Sequence, residues 1–174
     1  ASDGTQTDGT SGNPAISGNG RYIAFTSKAD NLVPNDTNEV SDVFVHDMTT
    51  GQTTRVSVAS DGTQANDKSE SSRFAISADG RFVIFQSAAT NLIANDTNDK
   101  IDLFVHDMTT GQTSRVAPDT YGAQATISGN GNFVVFKSSA QALAPDDTNN
   151  APDLFVRNLT DGTRRAPAEM GRSW

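Results

Sequence analysis

The chain contains no cysteine, which excludes disulfide staples, thiolate metal centres and a cysteine nucleophile. It is also short of positive charge, with 13 Lys and Arg against 21 Asp and Glu and a net charge of -8. A surface of that sign repels phosphate backbones, so no nucleic-acid partner is expected, while divalent cations remain compatible with it. No apolar run approaches the roughly 20 residues of a spanning helix, so no membrane partner is expected either. There are two histidines, and no serine sits in a G-x-S-x-G elbow. Hydrophobic residues make up only 34% of the 174. Gly, Asn, Asp, Ser and Thr fill the space between short apolar runs, a mixture that suits many short strands joined by turns and not a helical bundle.

What is present is a repeat. ISGNGRYIAFTS (16–27) returns as ISADGRFVIFQS (76–87) and as ISGNGNFVVFKS (127–138). Each copy is followed by NDTN or DDTN, then by D-[VL]-F-V-[HR]-[DN]-[ML]-T, then by a short T-x-R segment. Self-similarity at such a period marks an array whose units bury their apolar faces only against each other. Ala1-Ser2-Asp3-Gly4-Thr5-Gln6 also matches Ala59-Ser60-Asp61-Gly62-Thr63-Gln64, so the chain is expected to open on the linker of a preceding repeat and to derive from a longer array. The boundaries expected are linker 1–15, first blade 16–58, linker and second blade 59–118, linker and third blade 119–167, and a tail 168–174.

Each repeat reads as four strands. The first spans 14–17, 73–77 and 124–128, and a Gly-containing turn follows, as in a tight hairpin. The second carries four consecutive apolar residues (Tyr22 to Phe25, Phe82 to Phe85, Phe133 to Phe136), which predicts burial on both faces. The third spans 42–48, 102–108 and 153–159. The fourth is expected to hold Arg55-Val56, Arg115-Val116 and Arg165-Ala166 as equivalent pairs. No amphipathic helix is evident.

Four-stranded antiparallel units covered on both faces describe β-propeller blades. ISADGRFVIFQS followed by DLFVHDMTTGQTSRV resembles the TolB-type, WD-like propeller repeat of bacterial proteins, and the resemblance runs through nearly the whole chain. It implies an all-β propeller fold and a secreted, periplasmic or cell-surface place in a bacterium. That family includes periplasmic scaffolds and enzyme-attached propellers, so it implies no single activity. Closed propellers have about 4–8 blades, and three leave apolar end faces. A homodimer forming a six-bladed ring, or missing blades of a parent chain, would cover them.

The repeated loop after the second strand is the candidate metal site. It offers Asp36, Asn38 and Asp42, then Asp96, Asn98 and Asp102, then Asp147, Asn149 and Asp153. Carboxylate and amide oxygens on a flexible loop suit structural calcium ahead of sodium or magnesium, although the spacing is not that of an EF-hand. Asx and Thr side chains that cap their own turns are the alternative. His46 and His106 occupy equivalent positions where the third repeat has Arg157; a base lost from one copy reads as a strand residue, not a catalyst. Two departures from the repeat, Tyr121 in a contracted linker and Trp174 in the tail, are candidate ligand or partner contacts. These features favour a non-catalytic binding or assembly module with a protein or glycan ligand. The alternative is the propeller portion of a larger secreted hydrolase such as a peptidase.

Overall fold

The computed structural model describes residues 1–120, 124–138, 143 and 151–165, by backbone alone at 71–74 and 165. Twelve strands follow in order: β1 (Ser11–Ile16), β2 (Tyr22–Ser27), β3 (Asp42–Asp47), β4 (Thr53–Arg55), β5 (Ser69–Ile76), β6 (Phe82–Ser87), β7 (Asp102–Asp107), β8 (Gln112–Ala117), β9 (Ala125–Ile127), β10 (Phe133–Ser138), β11 (Asp153–Asn158) and β12 (Arg164–Arg165). They form three four-stranded sheets, β1-β2-β3-β4, β5-β6-β7-β8 and β9-β10-β11-β12, each antiparallel and built from one continuous stretch of chain. No α-helix occurs among the described residues. The three sheets are three propeller blades, and no strand passes from one blade to another.

The second and third strands of each blade pair in the same register, with Phe25 opposite Phe44, Phe85 opposite Phe104 and Phe136 opposite Phe155. Each phenylalanine pair stacks, with ring centroids 5.7–5.8 Å apart, within the range in which offset aromatic pairs add stability beyond their burial. The first strands of the first two blades begin earlier than expected, at Ser11 and Ser69, whereas β9 begins at Ala125. Residues 11–13, which fall in the expected linker and ahead of the expected strand, belong to the first sheet. A register shift between Gly12 and Ala15 absorbs Asn13, whose φ is 51°, and Pro14, which has no N–H to give. Beyond the shift pairing resumes, and the Ser11 and Ser27 hydroxyls meet at 2.9 Å, as Ser69 and Ser87 do at 2.8 Å.

Blades pack face to face in sequence order. Ala24, Val43, Val45 and Val56 of the first blade meet Val83, Phe85, Ala89, Leu92 and Phe104 of the second. Ile84, Leu103, Val105 and Val116 of the second meet Val134, Phe136 and Phe155 of the third. Each blade thus has a leading face, carrying the stacked phenylalanines, and a trailing face of aliphatic side chains. The predicted burial of the second strands on both sides is most nearly met by β6, where only Phe82 is partly exposed, whereas β2 and β10 keep more partly exposed positions because each blade at an end of the array has one covered face.

At the axis, β1 lies beside β5 and β5 beside β9. Their turns touch: Asn19 N–H donates to the Ala78 carbonyl and Ala78 N–H to the Gly129 carbonyl, both at 3.0 Å. Here glycine is required twice over. Gly80 and Gly131 have φ of +81° and +74°, and a Cβ on them would fall 2.0 Å from Tyr22 and 2.5 Å from Phe82 of the preceding blade.

Linkers dock onto the blades in a repeated way. Ser2 Oγ accepts from Thr53 N–H at 2.7 Å, as Ser60 Oγ does from Thr113 N–H at 3.0 Å. Asn31 Nδ2 donates to the Gln6 carbonyl and Asn91 Nδ2 to the Gln64 carbonyl, each at 2.9 Å. Residues 1–10 therefore lie on the first blade as residues 59–68 lie on the second.

Candidate functional site

The acidic loops converge on an arginine of the blade's outer strand. In the first blade, Asp36 Oδ1 accepts from Arg55 Nη1 at 2.6 Å, and Asp42 Oδ2 lies 3.7 Å from the same nitrogen. Asp42 is fully buried; its Oδ1 accepts from Ser57 Oγ at 2.5 Å, and its Oδ2 accepts from Asn38 Nδ2 at 2.8 Å. In the second blade, Arg115 Nη1 donates to Asp102 Oδ2 at 2.8 Å and to Asp96 Oδ1 at 3.1 Å. Asn98 Nδ2 again donates to the inner carboxylate, and Asp119 N–H takes the role of Ser57.

Desolvation of an acid favours its neutral form. Burial raises the Asp36 carboxyl above its ordinary value despite the Arg55 charge beside it, with Asp42 pushing the same way. Burial also raises Asp42 and Asp96. In the first two loops a guanidinium thus stands between the two carboxylates, where an added cation would have to sit. The amide of Asn38 and that of Asn98 turn N–H, not oxygen, toward the acid. Among the described residues, no three His, Cys, Asp or Glu side chains are gathered closely enough to hold a metal ion. The donors of the second loop form an internal ion pair, built by strand ends 13–19 residues apart in sequence.

The third repeat departs from this plan. Arg165 pairs with Val156 and Arg164 with Arg157, the places that Thr54 and Thr53 take opposite Val45 and His46. Arg165 is therefore the counterpart of Thr54, and the sequence pairing of Arg165 with Arg55 is corrected by one residue. The shift was hidden because T-x-R and T-R-R look alike without the strand register. Of the third loop's candidates, Asp153 begins β11, while Asp147 and Asn149 lie outside the described residues, as do Tyr121 and Trp174.

The histidines of the third strands, and the groups equivalent or adjacent to them, also find partners, on neighbouring strands and turns or on the neighbouring blade. His46 and His106 bond through Nδ1 to the hydroxyls of Thr53 and Thr113 at 3.0 and 2.8 Å. His106 is buried, which lowers its pKa below 6.5 against the opposing charge of Asp107. Arg157, in the third blade's equivalent place, reaches back to the Arg115 and Val116 carbonyls of the second blade. Asp47 and Asp107 each take a two-bond grip from Arg21 and Arg81, at 2.7–3.0 Å. The Arg81 contact leads in bringing Asp107 down to about 2. In the third repeat both partners change together, to Asn132 and Asn158.

What the sequence did not reveal is a pair of grooves between docked linker and loop. One, of about 710 Å³, is bounded by Ala1, Ser2, Asn31, Val33, Pro34 and Thr53. Its counterpart on the second blade, about 390 Å³, is bounded by Ala59, Ser60, Asn91, Ile93, Ala94 and Thr113. The signal was present in the matching hexapeptides and in the Asn-Leu pairs at 31–32 and 91–92, but only the docked linker turns them into walls.

No protein-family model matches the chain, and no curated protein does. Solved structures are similar in fold. The β-propeller domain of the trilobed protease from Pyrococcus furiosus matches with a TM-score of 0.60 and 11% identity, over 93% of this chain and 44% of that one. TolB from Acinetobacter baumannii matches with a TM-score of 0.56 and 16% identity, over 91% of this chain and 32% of that one. A putative TolB from Agrobacterium tumefaciens matches at 0.52 and 17%, over 87% and 46%. The chain spans less than half the length of each of these proteins. With three sheets of one topology, a shared phenylalanine register and this set of neighbours, the chain has the TolB-like β-propeller fold, represented by three consecutive blades.

Proposed function

We propose that the chain is a non-catalytic propeller module that works by binding, as a scaffold for a protein or glycan ligand outside the cytoplasm of a bacterium. One observation carries this reading: the polar groups that could do chemistry recur in the first two blades and are engaged within their own blade, as His46 and His106 are by threonine of the adjacent strand and the loop aspartates by arginine. The grooves between linker and loop, lined by Ser, Thr, Asn, Asp and aliphatic groups, are the surfaces offered to a ligand. A panel of nitrophenyl esters and glycosides and a mixed fluorogenic peptide library tests the reading. It expects no turnover above buffer; turnover abolished by His106→Gln would overturn it.

Similarity to the propeller domain of a protease supports a second reading, in which this chain is the propeller portion of a larger secreted hydrolase. A hydrolase region with its own Ser, His and acid in the parent sequence would decide for it.

For the acidic loops, we take the internal guanidinium as the resident cation, with calcium as the competing reading. A calcium ion at Asp96 and Asp102 would have to displace Arg115 from both carboxylates. The thermal midpoint should therefore be the same in calcium and in chelator, and Asp96→Ala should lower it equally in both. A midpoint raised by calcium, and no longer raised in Asp96→Ala, would put the metal in the loop.

A further inference from the structure

The exposed large hydrophobic side chains among the described residues are Ile16, Met48 and Leu154, at 62%, 58% and 49% exposure. Their positions are systematic. Ile16 and Met48 have counterparts Ile76 and Met108, which pack into the core between the first and second blades, and Ile127 and Leu159, which pack into the core between the second and third. Both belong to the leading face, and in the first blade no blade covers that face. Leu154 has counterparts Val43 and Leu103, exposed 0% and 1%, which lie on trailing faces and are sealed by the next blade. Leu154 lies on the trailing face that follows last in the array.

Two further signs agree. Phe25 is only half-buried, whereas Phe85 and Phe136, its counterparts on covered leading faces, are fully buried. A Cβ on Gly20 would meet nothing within 4 Å, while the same turn position in the next two blades is pressed against Tyr22 and Phe82 of the blade before. The molecule therefore ends in two different apolar faces, and they are the two halves of an interface it already makes twice within itself. Large apolar surface is costly to leave in water, and here the complementary surface is written in the same chain.

We propose that the trailing face of the third blade docks onto the leading face of the first blade in a second copy of this chain, and that the reciprocal contact closes a two-fold ring of six blades. The contact repeats the interface between the first and second blades: Leu154 takes the place of Val43, and Phe133 is carried to Gly20 of the second copy as Tyr22 is to Gly80. A head-to-tail contact of this kind gives a closed ring when its rotation closes and an open filament when it does not. The inference rests on the module reading above, in which the blades are a scaffold to be completed.

The test is solution mass by light scattering on the 174-residue chain and two exposed-site variants, from micromolar to millimolar concentration. The chain of 18.4 kDa should give the mass of two chains and no larger species as concentration rises. Met48→Asp and Leu154→Asp should each give single chains with unchanged circular dichroism, since both side chains lie at the surface. Mixed together, they should recover a weaker two-chain species, because that pair keeps one undamaged trailing-to-leading contact. A single-chain mass at every concentration would overturn the proposal and assign the open faces to other blades of a parent chain. Mass growing without limit would overturn the closed ring. A dimer broken by Met48→Asp but not by Leu154→Asp would mean that two leading faces meet each other. Turnover by the chain would sink the module reading without touching the mass, and a monomer would sink the ring without touching the module, so the two failures are distinguishable.

Discussion

Arg55 shows how a few side chains hold a long loop to a blade. Its side chain and those of Asp36 and Asp42 are 11%, 3% and 1% exposed, so the guanidinium is the compensating charge for two acids out of water. Removing one partner of a buried pair strands the other, at about 3–5 kcal/mol. Arg55→Met should therefore lower the urea midpoint by a loss of that order at neutral pH. The loss should shrink on acidification, because Asp36 and Asp42 protonate more readily than ordinary aspartates and the neutral acids need no counter-ion. An equal loss at both ends of the pH range would show that packing, not charge, is what Arg55 contributes. His106 gives the opposite slope. Its folded pKa is lowered from 6.5, so the unfolded chain takes up a proton first, and stability present above pH 6.5 is lost as pH falls through the folded value. His106→Gln should flatten stability across that window, and a slope that survives the substitution would assign it to another group.

At the scale of the element, the repeated hairpin turn does two jobs. It reverses the chain between the first and second strands, and it lets the next blade's backbone sit on an aromatic ring. Gly131, in this turn, and Gly111, in the turn between β7 and β8, separate chain reversal from blade contact. Both have positive φ, +74° and +71°, but only Gly131 has a neighbour where Cβ would go, namely Phe82 at 2.5 Å. Gly111→Ala should cost about 1–2 kcal/mol, the strain of a left-handed residue. Gly131→Ala should cost distinctly more, through the contact between blades, in chemical denaturation. Equal losses would mean that the turn, and not the blade contact, sets the requirement for glycine.

For the molecule as a whole, stability comes from stacking, since each blade is a thin sheet whose faces are covered by its neighbours. The second blade is covered on both sides and the others on one. Amides of β6 and β7 should accordingly exchange hydrogen most slowly, with β2 and β10 faster, in native-state exchange on dilute protein. Under conditions where two chains associate, β2 and β10 should gain protection while β6 changes little. Uniform exchange in dilute monomer would contradict a stack stabilised by neighbours.

Blade number, the second and third strands and the turns between them were legible in the residues, because strand periodicity and turn chemistry act over a few positions and were written three times. The register of the third repeat's outer strand was not, since Thr163-Arg164-Arg165 can be aligned two ways until Val156 is seen to face Arg165. Nor was the extent of β1, whose Ser-Gly-Asn-Pro start has the composition of a loop and becomes strand only beside β2. The loop acids stood out by repetition, but their partners Arg55 and Arg115 lie up to 19 residues away in sequence and are brought to them by the outer strand. Sequence alone therefore determined what each blade is, through local pattern. Tertiary structure decided which charges pair and why Ile16, Met48 and Leu154 face solvent while their counterparts do not, because exposure in an array depends on the neighbouring blade and not on the residue's own segment.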